Sequence, residues 1–304
     1  MPEGAVAWVF PGQGSQEAGM GRDLFEAYPA ARDLYERADA ILDRPISSLC
    51  FEGPDSELSK TFNAQPAIYV TSLACLEAAR ARGAVSGDPA FVAGHSLGEY
   101  TALTAAGALD FEAGLRLVET RGRLTQAAAD TTPGAMAAIL GLDEVAAEAV
   151  CRDAGAELCN INSPGQIVIG GAKGAIAKAC ALAVERGAKR AIPLDVGGAF
   201  HTSLMQPAVA AMVKAVAAAG IRPPRVPVVT NDTAHPTTDA AAIERELTYQ
   251  LTHPVRWVQC VEYMAAQGVT TFVEIGPGRV LSGLIKRIAS GAQTKSINGA
   301  GSLA

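Results

Sequence analysis

Three apolar runs that each end in a glycine-rich loop constrain the fold of this chain more than any other feature. They are AVAWVF (residues 5–10), AFVAG (90–94) and TTFVEI (270–275), and they are followed by PGQGSQ, HSLGE and GPGRVLSGLIKRI. Continuous apolar runs of this length are typical of parallel strands buried on both faces, and each is followed by residues with helical periodicity. We therefore predict an α/β fold with a mainly parallel sheet, whose carboxyl edge holds a ligand crevice.

Two helices between these runs have clear boundaries in the sequence. Residues 65–83 keep apolar side chains at helical spacing and end at a glycine, as expected of a C-terminal cap. Residues 110–128 begin with Asp110, whose carboxylate is suited to capping a helix N-terminus.

The order of predicted elements changes between residues 134 and 196. It reads strand, helix, two strands around an Asn-Ser-Pro-Gly turn, helix, and a last strand in KRAIPLDV (189–196). The order β-α-β-β-α-β is that of a ferredoxin-like module. We predict a ferredoxin-like small domain over residues 131–197, inserted into a large domain made of residues 1–130 and 198–304.

Composition and charge exclude several classes of protein. The formal net charge is −6, which argues against nucleic-acid binding, and 49% of the residues are hydrophobic against 18% charged, as in a compact α/β protein. No apolar run approaches the roughly 20 residues of a membrane span, and MPEGAVAWVF has no basic region of a signal peptide. The six cysteines form no CxxC pair, so neither a disulfide frame nor a metal site is expected. We expect a cytoplasmic, monomeric protein.

The stretch VAGHSLGEY places Ser96 in a G-x-S-x-G motif between a predicted strand and a predicted helix. In this context the motif is typical of a nucleophile elbow, a sharp turn that lifts the serine hydroxyl out of the sheet edge. The alternative is that Ser96 only begins a helix and has no chemical role.

A serine nucleophile needs a base, and the chain has four histidines. His95 adjoins the serine and cannot fold back across the elbow, while His235 and His253 lie in loops next to prolines. His201 follows two glycines in DVGGAF and precedes an apparent helix, so it lies at another strand-to-helix junction. We predict that His201 is the base.

Acyl chemistry at a serine also needs two donors for the oxyanion. In an elbow the backbone N–H of the next residue, Leu97, supplies one, and the PGQGSQ loop can supply the other through Gln13. The competing interpretation of that loop is a dinucleotide-binding turn, but Glu17 stands where the third glycine of that fingerprint is needed.

Arg121 is the least expected residue in the predicted helix over 111–128. Its position places it on the apolar face with Leu115 and Val118, whereas Arg116 and Arg123 fall on the opposite face. A buried guanidinium needs a partner. Either Arg121 snorkels or pairs with an internal Asp or Glu, or it binds an anionic substrate through two parallel hydrogen bonds.

Seven motifs occur in one order along nearly the whole chain: PGQGSQ, GHSLGEY, ETRGRL, NSPGQIVIGG, GAFHTSLM, QLTHPVRW and EIGPGRVL. With these motifs the chain resembles the malonyl-CoA:acyl carrier protein transacylases of bacterial type II fatty acid synthesis, which are related to polyketide synthase acyltransferase domains. The resemblance implies an α/β-hydrolase-like large domain with a ferredoxin-like insert.

The resemblance also implies roles for single residues. Ser96 and His201 match the family's nucleophile and base, Gln13 and Leu97 its oxyanion hole, and Arg121 the arginine that binds the malonyl carboxylate. Further substrate-binding roles fall on Gln250, which orients the histidine through its backbone carbonyl, on Asn162, and on Phe200, where a smaller residue leaves space for a methyl branch. His253 departs from the family, in which many members have Asn at this position.

The implied partners are malonyl-CoA, which is a substrate, and acyl carrier protein, and no cofactor is implied. Carrier protein is expected to dock near Lys286, Arg287, Lys189 and Arg190. A polyketide synthase acyltransferase, a serine esterase or thioesterase, and a non-catalytic protein of the same fold are the alternatives that the sequence leaves open.

Overall fold

The computed structural model describes residues 4–303, which form two sheets surrounded by helices. The strands are β1 Ala5–Phe10, β2 Phe91–Gly94, β3 Gly134–Leu140, β4 Glu157–Ser163, β5 Gln166–Ala172, β6 Arg190–Pro193, β7 Val228–Val229, β8 Pro236–Thr237, β9 Val269–Ile275 and β10 Gln293–Ile297.

Thirteen α-helices are found in the described part of the chain, with short 3₁₀ helices at Ser203–Met205 and Ala300–Leu303. The α-helices are α1 Arg22–Ala27, α2 Pro29–Leu42, α3 Ile46–Glu52, α4 Asp55–Leu58, α5 Thr61–Arg82, α6 Gly98–Ala105, α7 Phe111–Thr131, α8 Glu144–Ala154, α9 Lys173–Glu185, α10 Gln206–Ala218, α11 Ala240–Tyr249, α12 Trp257–Ala266 and α13 Val280–Ile288. None of these helices has the length and apolar character needed to cross a membrane.

The larger sheet has the order β10-β9-β1-β2-β7-β8 and is parallel except for the pairing of β7 with β8. The three apolar runs of the sequence are its adjacent central strands β9, β1 and β2, as predicted. Side chains of β1 alternate between two cores: Trp8 and Phe10 pack toward α5 and α6, and Ala7 and Val9 toward α12 and α13. Because both faces are covered, β1 and β2 have no polar side chain, and the carboxyl ends of the three parallel strands meet at one edge.

The smaller sheet has the order β4-β5-β3-β6 and is antiparallel throughout. One face packs on α8 and α9 through side chains that include Ala137 and Ile139. The other face presents Met136 and Val168 toward Ala199, next to the loop that carries His201. The smaller sheet therefore lies beside the carboxyl edge of the larger one.

The predicted strand over residues 189–196 is shorter in the structure, where β6 ends at Pro193. Proline has no N–H to donate to a strand ladder. The Leu194 N–H still donates to the Met136 carbonyl of β3 at 2.9 Å, and residues 194–196 then line the central cavity.

Helix α5 begins at Thr61, four residues before the predicted start, with Pro66 inside it. Proline removes the hydrogen bond to the carbonyl four residues earlier, which is that of Phe62. The Phe62 carbonyl instead accepts from Arg44 Nη2 at 3.2 Å. This hydrogen bond gives the Phe62 carbonyl a partner, so the helix can continue through the proline. The predicted caps are confirmed: Gly83 ends α5 in the left-handed conformation, and Asp110 accepts from the Ala113 N–H at 2.8 Å.

Candidate active site

Ser96 lies in the tight turn between β2 and α6 and has a left-handed backbone, with φ of 52°. The flanking glycines are required by close packing: a Cβ on Gly98 would come 2.1 Å from the Phe10 carbonyl oxygen, and one on Gly94 1.9 Å from the Gly98 carbonyl carbon. The backbone strain falls on the serine itself, as in a nucleophile elbow. A helix cap needs no such backbone, so this geometry favours the elbow interpretation of Ser96 over that of a simple cap.

Asn231, which follows β7, fixes the elbow from the neighbouring strand. Its side-chain Oδ1 accepts from the Ser96 N–H at 2.7 Å, and its Nδ2 donates to the Gly94 carbonyl at 2.7 Å. The buried side-chain amide of Asn231 thus connects the end of β2 at Gly94 to Ser96 in the turn. Asn231 was not predicted from the sequence, although its place two residues after the apolar run VPVV was a usable signal.

His201 is buried with Nε2 at 2.7 Å from Ser96 Oγ and Nδ1 at 2.7 Å from the Gln250 backbone carbonyl. A carbonyl can only accept, so Nδ1 carries the proton and Nε2 accepts from the serine hydroxyl. The His201 backbone is left-handed as well, with φ of 62°. The arrangement is that of an activated serine in which a backbone carbonyl orients the base.

Burial, and secondarily the positive charge of Arg121, lowers the pKa of His201 to about 3. The imidazole is therefore neutral near pH 7 and able to take the serine proton.

Arg121 is 5% exposed and faces Ser96 from the middle of α7. Its Nη2 donates to Ser96 Oγ at 3.0 Å and to Gln250 Oε1 at 2.9 Å, and its Nη1 donates to Gln65 Oε1 at 2.9 Å. All three acceptors are neutral, and Nε is buried without a partner among the described residues. Of the two alternatives from the sequence, pairing with an internal carboxylate is thus wrong, and Arg121 remains available to an anion.

The loop that carries Gln13 packs directly on the elbow, since a Cβ on Gly12 would lie 2.4 Å from the His95 carbonyl oxygen. Gln13 lines the cavity beside Ser96, and Leu97 is buried at the entry to α6. Within residues 4–303, the backbone N–H groups of Gln13 and Leu97 donate to no backbone acceptor. Both donors are therefore available to an oxyanion at the elbow.

A cavity of about 430 Å³ opens over Ser96, and the smaller sheet forms its outer wall. Met136 and Val168 contribute apolar surface there, and Phe200 lines the cavity next to His201. Asn162 at the end of β4 bonds through Oδ1 to His95 Nε2 at 2.7 Å, which ties the smaller sheet to the elbow. The structure thus brings together Ser96, His201, Arg121, Gln13, Asn162 and Phe200 around one cavity, with Leu97 and Gln250 directly behind it.

The side chains of the other two histidines bond to neighbouring backbone carbonyls and make no hydrogen bond to Ser96 or His201 in the described chain. His235 Nδ1 bonds to the Thr233 carbonyl, and His253 Nδ1 to the Tyr249 carbonyl at 2.8 Å. His253, the residue that departs from the family, is thus held within its own turn. No group of His, Cys, Asp and Glu in the described chain has the arrangement of a metal site.

The family model described as acyl transferase domain matches residues 7–303. The chain belongs to the acyl transferase domain family. This match, together with the relatives described next, confirms the resemblance stated from the seven motifs.

Three relatives are similar to this chain over nearly its whole length. The malonyl CoA-acyl carrier protein transacylase of Bacillus subtilis is 46% identical over 298 residues, which cover 96% of this chain and 93% of the relative. An acyl carrier protein S-malonyltransferase from Vibrio cholerae superposes with a TM-score of 0.95 at 42% identity, covering 98% of both chains. A malonyl-transacylase in complex with its type II polyketide synthase acyl-carrier protein has a TM-score of 0.95 at 40% identity, covering 98% of this chain and 97% of its own.

The lowered pKa of His201 gives a pH prediction. We expect the rate at which a sulfonyl fluoride labels Ser96 to show no loss from His201 protonation between about pH 8 and pH 5. An imidazole with its ordinary pKa of about 6.5 would instead slow the labelling about 30-fold at pH 5. Mass spectrometry of the labelled protein measures the rate, with His201→Ala as the unreactive control. An acidic limb centred near pH 6.5 would contradict the assignment.

Proposed function

We propose that this protein transfers a malonyl group from malonyl-CoA to the phosphopantetheine thiol of acyl carrier protein through a malonyl-serine intermediate. The observation that carries the proposal is Arg121: a buried guanidinium with neutral partners, 3.0 Å from the hydroxyl of an activated serine. An unpaired buried charge costs about 3–5 kcal/mol, so the site favours an acyl group that ends in a carboxylate. The family and the relatives named above support the same activity.

The first half-reaction is acylation of Ser96. His201 Nε2 takes the hydroxyl proton as Oγ attacks the thioester carbonyl, and the negative oxygen accepts from the Gln13 and Leu97 N–H groups. The tetrahedral intermediate collapses as the carbon–sulfur bond breaks, and His201 returns the proton to coenzyme A, which leaves as a thiol.

The second half-reaction reverses these steps with a different thiol. His201 takes the proton of the carrier's phosphopantetheine, the sulfur attacks the serine ester, and Ser96 recovers its proton as it leaves. Serine, histidine and the backbone donors supply every proton and charge step, so we propose that no cofactor takes part. All of these groups come from one chain, which is consistent with a monomer.

Selectivity follows from the two ends of the acyl group. Arg121 can place one donor on each carboxylate oxygen, and an acyl group without a carboxylate leaves that donor pair unmatched. Phe200 lines the same cavity, and we propose that its ring occupies the space that a methyl branch at the middle carbon needs. We therefore assign malonyl as the preferred acyl group.

The basic residues expected to dock carrier protein lie near one another around the end of β3. Gln166 and Arg190 both pair with Leu140 across β3, and Arg287 on α13 donates to Gln166 Oε1 at 2.7 Å. Lys189 packs on Gly141, next in the chain to Leu140. We propose that Lys286, Arg287, Lys189 and Arg190 form a basic patch that binds an acidic carrier protein.

We also propose a specific fold for each of the two domains. The strand order β4-β5-β3-β6 with helices on one face supports a ferredoxin-like small domain over residues 131–197. The elbow after β2 supports an α/β-hydrolase-like large domain over residues 1–130 and 198–304. The cytoplasmic location stays a prediction from the sequence.

Labelling in two stages tests the proposed function. Protein incubated with radiolabelled malonyl-CoA should hold one stable label on Ser96, and adding holo acyl carrier protein should move the label to the carrier. Rapid release of free malonate without a carrier would show a hydrolase instead, and no label from any acyl-CoA would show a non-catalytic protein. Carrier proteins of fatty acid and polyketide synthases, compared in the second stage, distinguish the two pathways.

Arg121→Ala should lower kcat/KM for malonyl transfer at least about 30-fold, because about 2 kcal/mol or more is lost with a buried charged partner. Acetyl transfer, measured with acetyl-CoA, should persist or rise. The control is Arg123→Ala, which removes an exposed arginine of the same helix that pairs with Glu119. An unchanged malonyl preference would remove Arg121 from the selectivity mechanism.

The double variant Lys286→Glu/Arg287→Glu should raise the KM for carrier protein about tenfold through lost electrostatic attraction. The rate of Ser96 labelling by malonyl-CoA should stay unchanged. Lys214→Glu/Arg245→Glu makes the same change in net charge on α10 and α11 and serves as the control. Equal effects of both double variants would argue against a local docking patch.

A further inference from the structure

We infer that Glu99 is a positioning residue for malonyl selectivity: it fixes the side-chain amide of Gln250, which in turn holds the Arg121 guanidinium beside Ser96. This inference rests on the function proposed above. Glu99 belongs to the GHSLGEY motif and lies in the first turn of α6, 1% exposed. It lies behind the cavity and is not among the residues that line it.

Glu99 is a buried carboxyl group without an ion pair in the described chain. Its Oε2 accepts a short hydrogen bond from Gln250 Nε2, and its Oε1 accepts from the Asn231 backbone N–H at 3.3 Å. Both oxygens therefore face donors that belong to residues holding the active site. A buried acceptor satisfied in this way orients the groups that donate to it.

The Gln250 side chain makes a hydrogen bond at each end of its amide. Nε2 donates to Glu99 and to the Ser96 carbonyl, the latter at 3.0 Å, and Oε1 accepts from Arg121 Nη2 at 2.9 Å. A reversed amide would put its NH₂ group against the guanidinium and its oxygen against the Ser96 carbonyl. Glu99 thus helps to keep the oxygen of Gln250 pointing at Arg121.

This orientation matters because Arg121 Nη2 is shared between Gln250 Oε1 and Ser96 Oγ. The hydrogen bond to Gln250 Oε1 holds the guanidinium in a position where it contacts the nucleophile and can bind the free carboxylate of a malonyl group. Without a fixed acceptor, the long arginine side chain has several rotamers available. Malonyl binding would lose its aligned donors, whereas an acetyl group makes no use of them.

A purely electrostatic role for Glu99 predicts the opposite direction. Burial first and the neighbouring Glu246 second raise the pKa of Glu99, while the hydrogen bonds from Gln250 and Asn231 lower it. A negative charge here would compete with the malonyl carboxylate for Arg121, so its removal would raise malonyl preference. Oxygen Oε2 can accept from Gln250 in either protonation state, so the positioning role does not depend on the charge.

The test compares Glu99→Met, which removes both acceptors, with Glu99→Gln, which keeps one for Gln250. We expect the ratio of malonyl to acetyl kcat/KM to fall at least about tenfold in Glu99→Met, with acetyl transfer little changed. Glu99→Gln should restore the ratio to within about threefold of the unmodified protein. A ratio that stays or rises in Glu99→Met, or a Glu99→Gln variant as unselective as Glu99→Met, would overturn the inference.

Glu246→Met is the matched control, because Glu246 is a neighbouring buried carboxyl group whose side chain accepts from the Asp232 N–H and makes no hydrogen bond to the Gln250 side chain. Its backbone carbonyl accepts from the Gln250 N–H at 2.8 Å, and this bond does not depend on the side chain at position 246. Glu246→Met should keep the malonyl-to-acetyl ratio. A control that loses the ratio as far as Glu99→Met would show a general effect of buried carboxyl loss and would overturn the inference.

A second comparison remains decisive if Glu99→Met fails to fold. In Gln250→Met/Glu99→Met both partners of the hydrogen bond are apolar, a replacement that proteins tolerate better than the loss of one partner. The double variant should have the same malonyl-to-acetyl ratio as Gln250→Met alone, because Glu99 acts through Gln250. A further fall would overturn the inference. If the unmodified protein transfers no malonyl group, the proposed function fails instead.

Discussion

The contact between Arg121 Nη2 and Ser96 Oγ is the interaction on which the rest of the active site depends. It places a fixed positive charge beside the nucleophile in a buried setting where Coulombic effects are strong. The same charge helps to hold His201 neutral, so one side chain affects both the base and the acyl group. The surrounding polar groups are arranged to keep this guanidinium in place without neutralising it.

Neutral amides are the physical solution to that requirement. The side-chain carbonyl oxygens of Gln65 and Gln250 accept from Arg121 Nη1 and Nη2, which lowers the cost of burying the guanidinium without adding a negative charge. A carboxylate in either position would form a buried ion pair and occupy the donors permanently. Glu99, whose carboxyl group bonds to the Gln250 side chain, is separated from Arg121 by the Gln250 amide.

Much of the fold could be predicted from the sequence because its signals are local. The apolar runs of β1, β2 and β9, the glycines of the elbow and the helical spacing that turns Arg121 inward all depend on nearby residues. The start of α5 could not be predicted, because the carbonyl freed by Pro66 is satisfied by Arg44, which is distant in sequence. The early end of β6 likewise depends on the cavity, which the residues directly after the strand, 194–196, line.

The supporting polar groups were missed for the same reason. Asn231 bonds to Ser96 across 135 positions, Gln65 to Arg121 across 56, and Gln250 to Glu99 across 151. Each is an ordinary polar residue, and its partner can be identified only when the arrangement of the helices and strands in space is known. Only the pattern of motifs along the whole chain indicated Gln250 beforehand, and then only for its backbone carbonyl.

Because the two sheets contribute different walls of the cavity, one wall can be exchanged between family members without the other. Ser96, His201 and Arg121 are held by the larger sheet and its helices, whereas Met136, Asn162 and Val168 belong to the smaller one. A graft of residues 134–196 from another family member would exchange the outer wall and leave the reacting atoms in place. The hydrogen bond between Asn162 and His95 crosses the boundary of such a graft. Both parent proteins would therefore need the same pair of residues at these positions.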